Sequence, residues 1–210
     1  MTAYLNEDEQ VEALKNWWRD NGRSVVVGVV LGFAIIFGWQ GWKAWQKSQG
    51  EAASSLFENL LIQVANGNRE GALVAGKRLL GEFDGSIYAS FAAFEMARLA
   101  YEDAKPDSAV GDLEWVEAHA PDAVIADLAR VRLARVLLDA GKLDQAEARL
   151  KKVSEGFMPA AVAELEGDLA VRRGDPAAAR QAYGRAVLAA PNNALLRMKL
   201  QQLGKGDKSA

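Results

Sequence analysis

Fifteen consecutive positions, Val25 to Trp39, carry no charge, amide or hydroxyl, and no other feature restricts the chain so strongly. Extended to Trp42, the run admits one polar residue, Gln40. At about 1.5 Å per residue its helical length is roughly 27 Å, close to the ~30 Å hydrocarbon core of a bilayer. A Val-, Ile- and Phe-rich stretch with three glycines makes a poor isolated helix in water. In lipid that objection fades, because no water competes for the backbone hydrogen bonds. Trp17 and Trp18 precede the run, and Trp39, Trp42 and Trp45 close it, as an aromatic belt at both headgroup layers requires. A buried core helix is the competing reading; the predicted element is a membrane anchor over residues 25–45.

Lys15, Arg19 and Arg23 flank the anchor on one side and Lys43 and Lys47 on the other, so the basic residues place the N-terminus in the cytoplasm. A cleaved signal peptide fits badly, since the preceding 24 residues are acid-rich and no small-x-small site follows Trp39. The expectation is an uncleaved signal anchor: a cytoplasmic tail at 1–24, the membrane helix at 25–45, and an exported domain at 46–210. That domain is long enough for a continuous core. Net charge −3 offers no basic footprint for nucleic acid. The absence of cysteine excludes disulfides and thiolate chemistry without deciding the compartment.

In the tail, Asn6 and Glu9 have capping-box spacing, and Val11, Leu14 and Trp18 fall on one helical face. This suits an amphipathic stub at the membrane surface, a small cytoplasmic docking element carrying Glu7, Asp8, Glu9 and Glu12, or merely a solvated acidic tail with a helical end. Within the anchor, Gly28 and Gly32 form a G-x-x-x-G pair, a candidate contact for another membrane helix.

From Glu51 onward no period-two alternation appears, and turn signals cut the chain into helical stretches of about 12 to 17 residues. Ala134, Leu137, Gly141, Ala146, Leu150 and Val153 recur 33 residues later as Gly167, Ala170, Gly174, Ala179, Tyr183 and Ala186, before Pro191. Small residues where antiparallel helices touch, a glycine between them and a closing proline resemble the tetratricopeptide repeat. Ala97, Ala100, Ala109, Leu113 and Val116 fit the same template, with Ala104 where glycine is usual. Gly67, Ala72 and Leu79 keep three positions, but Gly76 stands where a large residue is wanted. The fold class is therefore all-α: an N-terminal membrane helix, then an α-solenoid of about four helix pairs, the first two degenerate. A final helix near 193–203 caps the apolar end, and residues 204–210 fray.

Catalytic constellations are missing. The single histidine, His119, sits at a predicted helix end, where a hydrogen-bonding residue has an ordinary structural use. There is no H-E-x-x-H, no phosphate loop and no thiolate, so neither enzyme activity nor a cofactor, metal or small-molecule substrate is expected. Contacts are sought instead on the first helix of each repeat, where Arg135, Asp139, Glu164, Asp168 and Arg172 are the candidates for partner binding. Arg135 and Asp168 share a repeat position with opposite charge, as do Asp139 and Arg172, so inter-repeat ion pairing is a second, compatible role.

Asn6-Glu7-x-Glu9-Gln10-Val11-Glu12-Ala13-Leu14-Lys15, Asn21-Gly22, Val27-Gly28-Val29-x-Leu31-Gly32 and Gly38-Trp39 resemble the YfgM family of ancillary SecYEG translocon subunits. Leu133-Ala134-Arg135-Val136, Gly167-Asp168, Gly174-Asp175, Ala179-Arg180 and Met198-Lys199-Leu200 carry the resemblance across nearly the whole chain. It implies a single-pass protein of the bacterial inner membrane with a periplasmic repeat domain. It also implies association with the SecYEG translocon and a periplasmic chaperone of the PpiD type, and a regulatory cytoplasmic tail. An adaptor for exported proteins is the expected function. A cell-envelope scaffold for division or peptidoglycan synthesis is the alternative, disfavoured by the anchor and by the lack of a lipobox cysteine.

Overall fold

A computed structural model describes the backbone of residues 7–206 and the side chains of residues 10–204. The Asn6–Glu9 cap and the fraying beyond Gly206 lie outside the described residues. The elements are α1 (Glu7–Ala65), α2 (Arg69–Glu82), α3 (Ile87–Glu102), α4 (Pro106–His119) and α5 (Ala123–Asp139), then α6 (Leu143–Leu150), α7 (Pro159–Arg172), α8 (Pro176–Ala189) and α9 (Ala194–Gly206). No strand occurs among the described residues. Two compact units divide the chain at Glu51.

In the first unit, α1 holds the apolar run, and Val26, Val30, Ile35 and Phe37 are all more than half exposed. Among the described residues, the membrane-length window has none of its positions buried against the rest of the protein. The stub expected in the tail is not a separate element, because α1 runs through it without a break.

The second unit contains the end of α1 and helices α2 to α9. Its helices begin where local chemistry dictates. Asn68, Ser86, Asp122 and Asp175 each accept a hydrogen bond from the backbone amide three residues on, and Pro106, Pro159 and Pro176 occupy first-turn positions that need no donor. All four pairs turn in the same way. Gly67, Ala104, Gly141 and Gly174 lie at φ of 71°, 57°, 74° and 75°. The following amide in each case bonds five residues back: Asn68 to Gln63, Lys105 to Ala100, Lys142 to Leu137 and Asp175 to Ala170, all at 2.8–2.9 Å. These are Schellman closures, which require a left-handed residue and explain the glycines. Ala104 adopts the same conformation with a Cβ.

First helices stack on one another, α3 on α5 and α5 on α7, while α4 packs between α3 and α5, α6 between α5 and α7, and α8 between α7 and the capping helix α9. The main core joins α3 to α7 through Ala97, Leu113, Leu133, Leu137, Ala146 and Leu165. The degenerate first pair is repaired from outside: an added Cβ at Gly76 would lie 2.4 Å from the Met96 sulfur, so a flexible thioether fills the space of the missing side chain.

One second helix departs from the expected length. Helix α6 has eight residues, since its end is claimed by charges from α5. Arg130 donates to the Lys152 carbonyl at 3.1 Å, to Asp127 at 2.8 Å and to Glu117 at 3.1 Å. Burial opposes ionisation of Asp127, but hydrogen bonds from Ser154 and Arg130 prevail and hold its carboxyl below the ordinary value.

Candidate functional site

Of the five charged candidates, Arg135 and Asp139 lie on α5 and Glu164, Asp168 and Arg172 on α7. Four of them, all but Glu164, line one cleft of about 190 Å³ together with Tyr183. The expected pairing holds in half. Arg172 reaches Asp139 at 3.9 Å, but Arg135 meets Glu164, at 4.0 Å, and not Asp168.

Asp168 is already taken. Lys199 of the capping helix α9 donates to its two oxygens at 2.7 and 2.9 Å and to Glu164 at 2.8 Å, and the Tyr183 hydroxyl donates to Asp168 at 2.6 Å. Burial works to lower the Lys199 pKa, yet Asp168 and Glu164 outweigh it and hold the ammonium charged. Burial first and Asp168 second push the Tyr183 phenol up. Glu164 and Asp168 thus fasten α9 to the last repeat. Asp139 is partly spent as well, since it accepts the Tyr101 hydroxyl at 2.8 Å, which raises the Tyr101 pKa. His119 stacks on Trp115 with ring centroids 4.4 Å apart, its Nδ1 2.9 Å from the Trp115 carbonyl oxygen. Gly28 and Gly32 are open on the helix surface: a Cβ at either meets nothing within 4 Å.

The larger concavity was not anticipated. About 570 Å³ of groove opens between the end of α1, α3 and α5, floored by Phe57, Phe91, Phe94 and Val136 and rimmed by Glu95, Arg98, Arg132 and Arg135. Phe57 and Phe91 are 6.1 Å apart and tilted by 46°. The Arg132 guanidinium lies 4.4 Å over the Phe94 ring, where desolvation lowers its pKa against the opposing pull of Glu95. Arg98 is neutralised by Glu95 at 2.6 Å and by Glu102. Phe91-x-x-Phe94 with Arg98 four positions on is the sequence signal for this face. Phe57 and Arg132 come from helices remote in sequence, and only packing brings them to it.

A family profile for the tetratricopeptide repeat-like domain matches residues 15–205. A protein of Escherichia coli K12 named ancillary SecYEG translocon subunit is 30% identical over 210 residues, covering 97% of this chain and 99% of that one. One of the same name from Haemophilus influenzae is 29% identical over 190 residues, covering 89% and 91%. Among solved structures, a thermophilic TPR protein of Thermus thermophilus superposes with a TM-score of 0.52 at 19% identity, over 90% of this chain and 97% of the other, which supports the solenoid fold alone. The chain belongs to the tetratricopeptide repeat-like domain family and, with its relatives matched from end to end, to the YfgM family of proteins named ancillary SecYEG translocon subunits.

Proposed function

We propose that this chain is a non-catalytic adaptor of the SecYEG translocon. It crosses the inner membrane once through residues 25–45, keeps residues 1–24 in the cytoplasm and holds the repeat domain, residues 46–210, in the periplasm. There it hands emerging proteins to a foldase of the PpiD type, while its acidic tail has a regulatory role. The observation that carries this reading is that the relatives named as translocon subunits match nearly the whole chain, and that none of the membrane-length apolar window is buried among the described residues. Gly28 and Gly32 supply a smooth strip on which a translocon helix can pack closely.

Crosslinking in intact cells, followed by purification and identification of the trapped proteins, tests it. The full chain should recover translocon subunits. Replacing residues 25–45 with an unrelated membrane helix should retain most of that recovery if membrane confinement dominates, and little if the glycine strip matters. Recovery of cell-wall synthesis enzymes with no translocon subunit would defeat the proposal in favour of the scaffold reading.

A further inference from the structure

The groove between α1, α3 and α5 combines two features seldom left exposed together. Its floor is aromatic, with Phe57 and Phe91 only partly covered by the protein. Its rim carries three arginines against one carboxylate, Glu95, which pairs directly with Arg98 and acts on Arg132 only through space. Arg98 is matched by two carboxylates, but Arg132 has no carboxylate within ion-pair distance among the described residues, and Arg135 has one only at 4.0 Å. Arg132 and Arg135 are three residues apart on α5, so about 5–6 Å separates their stems on one face. A guanidinium held against a ring is ready to take a carboxylate with two parallel hydrogen bonds, at little further cost in side-chain freedom. Arginine and aromatic side chains gathered around a concavity are also the composition in which binding energy concentrates.

We propose that this groove is a docking site for internal peptide segments in which apolar side chains are bracketed by two acidic residues. The apolar side chains cover Phe57 and Phe91, and the two carboxylates meet Arg135 and Arg132, the latter already seated on the buried Phe94 ring. The inference deepens the adaptor reading, on which it rests, by naming the chemistry of what the adaptor holds. Two cations favour an internal segment over a single C-terminal carboxylate, which would satisfy one of them. The chain's net negative charge disfavours a nucleic acid at the same place.

The test is selection from a randomised library of blocked nine-residue peptides on the full chain in lipid nanodiscs. The recovered peptides are then titrated by fluorescence anisotropy. Selected sequences should carry two Asp or Glu residues around Phe, Leu, Ile or Trp. Exchanging those acids for Gln or Asn should weaken binding at least tenfold, and so should the double variant Arg132→Gln with Arg135→Gln. The peptide-side exchange needs no altered protein and keeps the comparison valid if the double variant melts early. Enrichment no better than on empty nanodiscs, selection of uncharged or basic sequences, or affinity indifferent to the acids would each overturn the proposal. None of these results touches recovery of the translocon in cells, so failure here is separable from failure of the adaptor reading.

Discussion

Gly167 shows how much one absent methyl group decides. A Cβ built there would lie 2.4 Å from the Tyr183 ring, and that ring cannot swing away because its hydroxyl is held by Asp168 at 2.6 Å. Gly167→Ala should therefore destabilise the full chain by about 1–3 kcal/mol despite alanine's better helix propensity. Gly184→Ala, on a helix position with nothing within 4 Å, should instead stabilise it by roughly 0.5–1 kcal/mol. Urea titrations in detergent micelles read both signs. Asp112 supplies a second residue-scale prediction, because burial raises its pKa to about 6 and Lys77 offsets this only in part. With the folded value above the unfolded value of about 3.9, the native state binds the extra proton between those limits. Stability is thus highest below the unfolded value and declines as pH rises through the folded one. Asp112→Asn should raise stability at pH 7 by about 1–2 kcal/mol and make almost no difference at about pH 3, below the unfolded value. Thermal melts at the two pH values check it, and an equal gain at both would remove the desolvation argument.

Among the elements, the turns were legible and one helix was not. Three of the four turns inside the helix pairs carry glycine, and the spacing also identified Ala104 as their equivalent. The structure gives it the same left-handed conformation, at φ 57°. Alanine is strained there, so Ala104→Gly should stabilise by roughly 0.5–1 kcal/mol, while Gly141→Ala, at φ 74°, should destabilise by about 1 kcal/mol. Denaturant midpoints shifting in opposite directions at unchanged slope would bear this out; parallel shifts would count against it. The shortness of α6 could not be read from its own residues. Its end depends on Arg130 reaching the Lys152 carbonyl, a bond 22 residues apart in the chain. The large side chain missing at Gly76 was equally opaque, since Met96 from the next pair replaces it.

For the whole molecule, the proposed topology makes a direct prediction, helped by the lack of native cysteine. A cysteine at Ser48 should react with an impermeant maleimide once the outer membrane is opened, and one at Thr2 should not. The reverse pattern would turn the protein around and remove its repeats from the periplasm. The long apolar helix, the helical class and the pairing of the helices were all readable in advance, because each rests on backbone geometry and on the spacing of apolar and small residues along the chain. The partners of the charged groups were not. Arg135 and Asp168 occupy matching repeat positions, but α9 brings Lys199 from 31 residues away to within 2.7 Å of Asp168, and Arg135, at the groove, meets Glu164 at 4.0 Å instead. Ion pairs and concave floors depend on differences of an ångström or two between helices remote in sequence, and such distances exist only once the helices have packed.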